Sequence, residues 1–99
     1  MAKFIQIVEF KTSRYDEVDK LMSEWAAVTA STHTPTHEFT TSDRDAPGTY
    51  VQIVEFPSYE AAMANSNLPE TSAFAERMMA LCDGPAVFRN LDVVREEDL

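Results

Sequence analysis

The chain has little of several residue types that mark specialised classes of protein. A single cysteine, Cys82, excludes an internal disulfide, and two glycines in 99 residues without a low-complexity stretch exclude collagen-like and disordered classes. No apolar run approaches the roughly 20 residues of a membrane span, and the residues after Met1 are too few for the apolar core of a signal peptide. We therefore expect one globular domain over residues 1–99, located in the cytoplasm and without a membrane partner.

Basic residues are also scarce. The chain holds 8 Lys and Arg against 17 Asp and Glu, which gives a formal net charge of −9. A field of this sign repels the phosphates of nucleic acids, so we expect no nucleic-acid partner. It also favours an uncharged or cationic ligand over an anionic one.

Known cofactor and metal motifs are missing as well. The sequence has no phosphate-binding loop, zinc-ligand spacing, nucleophile elbow or dinucleotide fingerprint, so we expect no cofactor and no metal. The two histidines, His33 and His37, are four residues apart, but Pro35 between them disfavours the helix that would place both on one metal-binding face. His37 stays a candidate catalytic residue, because it begins a predicted strand and a histidine can serve as acid or base near neutral pH.

The most informative feature that is present is an internal repeat. Residues 6–10, Gln-Ile-Val-Glu-Phe, recur letter for letter as residues 52–56, and each copy follows one further apolar residue. Both copies are short, rich in β-branched residues and bounded by turn or helix-capping residues. They are therefore predicted to be strands.

A helical pattern follows each copy of the repeat. The first predicted helix is capped by Ser13 and covers residues 14–31, with apolar residues spaced three and four apart. The second begins after Ser58, is interrupted at residues 65–69, and then continues until Gly84 ends it. The interruption is either a lid over a cavity or a plain kink.

Two further strands complete the predicted fold. Residues 37–42 form a threonine-rich edge strand, and residues 87–94 alternate apolar and polar side chains. The order βαββαβ predicts an α+β, ferredoxin-like domain, a four-stranded antiparallel sheet with two helices on one face. The two repeat strands are its central pair, and we expect these two to run parallel to each other.

Both faces of the central strands carry apolar side chains, although helices can cover only one. This pattern predicts a homodimer in which a second sheet covers the remaining face, as a dimeric α/β barrel. We assign the aliphatic side chains to the helix side and the glutamine-bearing set to the space between the two sheets. The opposite assignment would exchange the sides of Glu9 and Glu55. The aliphatic set is Ile5, Ile7, Val51 and Ile53, and the glutamine-bearing set is Phe4, Gln6, Val8, Phe10, Tyr50, Gln52, Val54 and Phe56.

The space between the sheets is the predicted ligand site. Gln6 and Gln52 are the candidate polar groups inside it, because buried amides need hydrogen-bond partners that a ligand or water can supply. Tyr50 shares their face and is a candidate for stacking on an aromatic ligand, and His37 is the fourth candidate. Trp25 is assigned to the helix core, with Leu21 and Val28.

The whole chain resembles the dimeric α/β barrel superfamily, in particular the antibiotic biosynthesis monooxygenase-like and stress-responsive A/B barrel proteins. The resemblance rests on the strands 4–10 and 50–56, the helix opening 58–63 and the closing strand 88–93. These families include cofactor-independent oxygenases, heme-degrading enzymes, cyclases and isomerases. Monooxygenase-like members often carry a histidine after the third strand, where this chain has residues 65–67, Asn-Ser-Asn.

Two hypotheses follow from the residues and the resemblance together. The first is a homodimer that binds a small apolar or aromatic molecule between its two sheets, without identifiable catalytic residues. The second is a cofactor-independent, monooxygenase-like or cyclase-like enzyme, which acts on an aromatic or polyketide-type substrate oriented by Gln6, Gln52, Tyr50 and His37.

Overall fold

The computed structural model describes residues 2–99, which form one four-stranded sheet and three helices. The sheet order is β2-β3-β1-β4, and every neighbouring pair is antiparallel. The predicted ferredoxin-like α+β fold is confirmed. The elements are β1 (Phe4–Lys11), α1 (Tyr15–Val28), β2 (His37–Ser42), β3 (Thr49–Phe56), α2 (Tyr59–Ser66), α3 (Pro69–Leu81) and β4 (Val87–Asp92).

The two repeat strands are the central pair, as predicted, but their relative direction differs from the expectation. Strand β1 pairs with β3 in an antiparallel register that places Val8 opposite Gln52. The reason lies in the connections. The short turn after β2 reverses the chain, and β3 then inserts between β1 and β2, which are parallel to each other across it.

Helices α1 and α2, which follow the two repeat strands, begin with different N-terminal caps. Ser58 caps α2 as predicted, since its Oγ accepts a hydrogen bond from the Ala61 N–H at 3.1 Å. The prediction for Ser13 is wrong, because Arg14 occupies the capping position of α1 without a side-chain hydrogen bond. Instead, the Thr12 hydroxyl accepts from the Arg14 N–H at 3.0 Å and donates to the Leu81 carbonyl oxygen at 2.6 Å.

The predicted interruption of the second helical segment is present. Helix α2 ends at Ser66 and α3 begins at Pro69, whose missing N–H is harmless in a first turn. Three other ends fall short of the predicted ones. Helix α1 ends at Val28 and not near Ser31, α3 ends at Leu81, ahead of Gly84, and β4 ends at Asp92.

The core lies between the helices and the face of the sheet that carries the glutamines. One buried cluster joins Val8 and Phe10 to Val18 and Leu21 of α1 and to Met78 of α3. A second joins Phe4, Val54 and Phe56 to Ala62 of α2. The assignment of this set of side chains to the space between two subunits is therefore wrong.

The charged residues of the central strands explain this inversion. Glu9 and Lys11 share the other face with Ile5 and Ile7, and both are exposed. Under the helices these charges would be desolvated, which costs several kcal/mol for an unpaired ion. The helices therefore cover the face that carries no charged residue in either central strand.

The opposite face of the sheet has no helix against it. Its middle is an apolar row across three strands, in which Ile53 lies between Ile7 and Phe39. Phe39 is 53% exposed and Leu91, next to Ile5 on the edge strand β4, is 38% exposed. We call the face that carries Ile5, Ile7, Phe39, Val51, Ile53 and Leu91 the outer face. No helix within residues 2–99 is both long enough and apolar enough to cross a membrane.

Candidate functional site

A cavity of about 290 Å³ lies between the sheet and the helices of the single chain. Its volume is close to the lower end of small-molecule sites, which begin at about 300 Å³. Most of its lining is apolar. The lining comes from all three helices and all four strands, and its apolar part includes Val8, Met22, Trp25, Val54, Phe56, Phe74, Ala75, Met78, Met79, Cys82, Ala86 and Phe88.

The floor of the cavity is a row of side chains across the sheet. The strand registers place Glu38 of β2 opposite Val54 of β3, and Val54 opposite Gln6 of β1. Neighbouring strands lie about 4.8 Å apart, so the backbones at Glu38 and Gln6 are about 10 Å apart. The Glu38 carboxyl group and the Gln6 amide thus lie at the two ends of this row, and the apolar side chain of Val54 lies between them.

The Glu38 end of the cavity combines a carboxylate with a buried amide. Gln52, which is buried, donates from Nε2 to the Glu38 Oε2 at 3.3 Å and lies 3.6 Å from the Met22 sulfur. Glu38 belongs to an edge strand and is exposed as a whole residue, yet burial of its carboxyl group raises its pKa above the ordinary value. The charges of His33 and His37 act in the opposite direction.

Two further amides that line the cavity have partners inside the protein. Gln6 donates from Nε2 to the Asn90 Oδ1 at 3.3 Å, across the β1–β4 pairing. Asn65, which is buried at the end of α2, accepts a long hydrogen bond from the Thr34 N–H at 3.5 Å. The 65–69 interruption therefore contributes a cavity wall at Asn65, and its predicted role as a lid stays a prediction.

Trp25 forms an aromatic wall of the cavity. Its indole Nε1 donates to the Thr71 hydroxyl at 3.0 Å, and its ring lies 6.1 Å from the Phe74 ring and 5.7 Å from the His33 ring. The helical spacing of apolar residues predicts that Trp25 belongs to the core. The structure places it half-buried, with one part packed against α3 and another facing the cavity.

The structure brings together two of the four predicted site residues. Gln6 and Gln52 both line the cavity. Tyr50 does not: its ring stacks between Phe10 at 5.6 Å and Tyr15 at 4.6 Å, at the far end of the sheet.

His37 lies on the other side of the sheet. Its backbone pairs with Glu55, and its ring contacts Phe39 of the outer face edge-on at 4.7 Å. The proposed constellation of His37 with the glutamines therefore does not form. Glu38, one residue further along the strand, points to the cavity instead, because successive side chains of a strand point to opposite faces of the sheet.

Cys82 lines the cavity but is a poor nucleophile. Burial raises the pKa of its thiol, and the neighbouring Asp83 raises it further, so the thiolate is disfavoured at neutral pH. Among residues 2–99, no group of three or more His, Cys, Asp or Glu side chains is arranged to hold a metal ion. The expected absence of a metal stays a prediction about the protein in solution.

Comparison with known proteins identifies the fold. No family model and no curated protein sequence matches the chain. Solved structures do, at low sequence identity. SnoaB from Streptomyces nogalater, a cofactor-independent oxygenase, superposes with a TM-score of 0.80 at 16% identity, over 98% of this chain and 97% of that one. A Caulobacter crescentus protein assigned to the antibiotic biosynthesis monooxygenases gives 0.81 at 18% identity, over 95% of this chain and 92% of that one.

A third structure supports the same conclusion. Rv0793 from Mycobacterium tuberculosis matches with a TM-score of 0.79 at 14% identity, over 98% of this chain and 100% of that one. Identities this low establish the fold and not the reaction. As its sequence predicts, the chain has the ferredoxin-like fold of the antibiotic biosynthesis monooxygenase-like proteins.

Proposed function

We propose that this protein binds a small aromatic or otherwise apolar molecule in the cavity between its own sheet and helices. The observation that carries the proposal is the cavity itself, about 290 Å³ with apolar walls and a few polar groups. Concave, mostly apolar sites with a few polar groups are typical of small-molecule binding. The proposal retains the ligand class predicted from the sequence and moves the site from between two sheets into the single chain.

The shape of the lining favours a flat molecule. Trp25 and Phe74 supply aromatic surfaces on the helix side, and Val8 and Val54 supply the floor. Aromatic rings gain most from stacked or edge-to-face contact with other rings. A cavity of about 290 Å³ has room for a molecule of two fused rings.

The proposal includes a homodimer. The outer face exposes an apolar patch that no element of the same chain covers, and Ile53 at its centre is flanked by Ile7 and Phe39. A twofold-related copy would bury this patch against its equivalent, and isologous dimers are the commonest oligomers. Each protomer would then keep its own cavity, on the side of the sheet away from the partner.

A second candidate function is a cofactor-independent oxygenase or cyclase acting on an aromatic or polyketide-type substrate. One observation favours it: the Glu38 carboxylate faces the cavity and has a raised pKa, which suits a general base. SnoaB, which shares the fold, is a cofactor-independent oxygenase. Oxygen uptake with 1-naphthol that Glu38→Gln abolishes would support this function, and binding without turnover would contradict it.

Trp25 provides a direct test of binding. It is the only tryptophan of the chain and it lines the cavity, so its single indole N–H resonance in a nitrogen-edited NMR spectrum reports occupancy. Titration with 2-naphthylmethanol, a neutral two-ring probe, is expected to shift this resonance saturably with one site per chain. A resonance that shifts only linearly up to the solubility limit of the probe would contradict the proposal.

A further inference from the structure

We infer that the cavity selects aromatic ligands that carry a protonated amine, and that Glu38 is the residue that binds the ammonium group. This inference rests on the proposed function, since it specifies the ligand class of the same cavity. It follows from the charge of the lining, the free capacity of one carboxylate and the size of the apolar walls.

The first observation is the charge of the lining. Glu38 is the only Asp, Glu, Lys, Arg or His side chain among the residues that line the cavity within the described part of the chain. The other polar lining groups are amides, hydroxyls and a thiol, which are uncharged at neutral pH. Within the lining a ligand therefore meets one negative charge and no positive one; His33 and His37 lie close enough to act on the Glu38 carboxyl group, but neither lines the cavity.

The second observation is the hydrogen bonding of Glu38. A carboxylate accepts about four hydrogen bonds, whereas an ammonium group only donates them. Gln52 supplies a single donor, 3.3 Å from Oε2. The carboxylate of Glu38 therefore has acceptor capacity to spare, and an ammonium group supplies the donors that match it.

The third observation is the partly apolar setting of the Glu38–Gln52 pair, one side of which remains open to solvent. Met22 lies against Gln52, and Val54 lies next to Glu38 on the floor. Ion pairs are stronger where water is partly excluded than at an open surface. The net charge of −9 acts in the same direction, because it favours the approach of a cation over that of an anion.

An anionic ligand is disfavoured for the same reasons. A carboxylate held by the apolar walls near Glu38 would face a like charge without a lysine or arginine in the lining to neutralise it. Like-charge pairs within a partly desolvated site are destabilising. The order of affinity should therefore be amine, alcohol and acid for molecules of one shape.

Three naphthalene probes test this order. 2-Naphthylmethylamine, 2-naphthylmethanol and 2-naphthoate share their rings and differ in charge at pH 7, and the indole N–H resonance of Trp25 gives the affinity of each. We expect the amine to bind at least about tenfold more tightly than the alcohol, and the acid at least about tenfold more weakly, as for an ion pair worth about 1.4 kcal/mol.

Two variants locate the charge that is responsible. Glu38→Gln is expected to bring the three affinities within about threefold of one another, because it removes the lone charge of the lining. Glu9→Gln is the matched control, since Glu9 is exposed on the outer side of the sheet and its substitution changes the net charge equally. It should leave the wild-type order unchanged.

The outcomes separate this inference from the proposed function. If the alcohol binds at one site per chain and the amine binds no more tightly, the inference is overturned and the proposed function stands. If none of the three probes binds, the proposed function fails. An equal loss of selectivity in Glu9→Gln would assign the effect to the overall field and overturn the role of Glu38. The affinities of the wild-type protein for the three probes test the predicted order of amine, alcohol and acid even if Glu38→Gln does not fold.

Discussion

Gln52 donates a hydrogen bond to the Glu38 carboxylate across the β2–β3 pairing, at 3.3 Å. The donor is buried under the helices, and the acceptor belongs to a strand at the edge of the sheet. One partner comes from the internal repeat and the other from the threonine-rich strand that follows the first helix. Their contact defines the polar end of an otherwise apolar cavity, and the functional proposals depend on it.

The mouth of the cavity offers a direct test of where a ligand binds. Ala75 of α3 is exposed and also lines the cavity, so a larger side chain there would block the entrance. Ala75→Phe is expected to weaken binding of 2-naphthylmethanol at least about tenfold, a change of about 1.4 kcal/mol. Ala73→Phe, two residues earlier on the same helix and outside the lining, should change the affinity less than about twofold. Equal effects of both substitutions would contradict the location.

The raised pKa of Glu38 predicts a pH-dependent effect on stability. Burial raises this pKa above its ordinary value of 4.5, so the native state binds the proton more tightly than the unfolded state does. Between 4.5 and the raised native value, the contribution of Glu38 to stability falls as pH rises.

Glu38→Gln should therefore stabilise the protein at pH 7 and lose this advantage below pH 4.5. The gain should stay below about 1 kcal/mol because the carboxyl group is only partly buried and solvent still screens its charge. Urea unfolding of both proteins at pH 4 and pH 7 measures the difference. A variant that is less stable than the wild type at pH 7 would show that the hydrogen bond from Gln52 outweighs the burial of the charge.

The outer face predicts the oligomeric state. Sedimentation of the wild-type chain at micromolar concentration should give a dimer. Ile53→Glu would place a charge in the centre of the apolar patch, twice per dimer, and should raise the dissociation constant at least about tenfold. Val94→Glu is the control, because Val94 is 96% exposed and lies beyond β4. A stable wild-type monomer would contradict the dimer.

The helix caps predict a difference between the two serines that precede helices α1 and α2, Ser13 and Ser58. Ser58→Ala removes the acceptor for the Ala61 N–H and should lower the free energy of unfolding by about 1 kcal/mol. Ser13→Ala removes no capping hydrogen bond and should change it by less than about 0.5 kcal/mol. Urea unfolding compares the two. A larger loss in Ser13→Ala would mean that the observed caps are assigned to the wrong residues.

The element order and the class of fold were predictable from the sequence, because the repeat at residues 6–10 and 52–56 marks the two central strands. The face of these strands that the helices cover was harder to predict. Both faces carry apolar side chains, so hydrophobic periodicity does not separate them. The charges of Glu9 and Lys11 were the useful signal, since they are tolerated only on the face without helices.

The candidate site was predicted only in part. The two glutamines occupy equivalent positions in the repeat and were found together in the cavity. Glu38 was missed because its direction depends on the β2–β3 register, which local pattern does not fix. Trp25 was predicted to lie in the core because the spacing of apolar residues along a helix shows which side chains face the sheet. This spacing does not show whether protein or a cavity occupies the space in front of them.

The central claim is that the ligand lies between the sheet and the helices of one chain, and nuclear Overhauser contacts to a bound probe test it most directly. With 2-naphthylmethanol at saturation, we predict contacts from the naphthalene protons to the methyl groups of Val8, Val54 and Met78, which lie on the helix side. Contacts to the methyl groups of Ile7 and Ile53 on the outer face would contradict the claim and return the site to the space between two sheets.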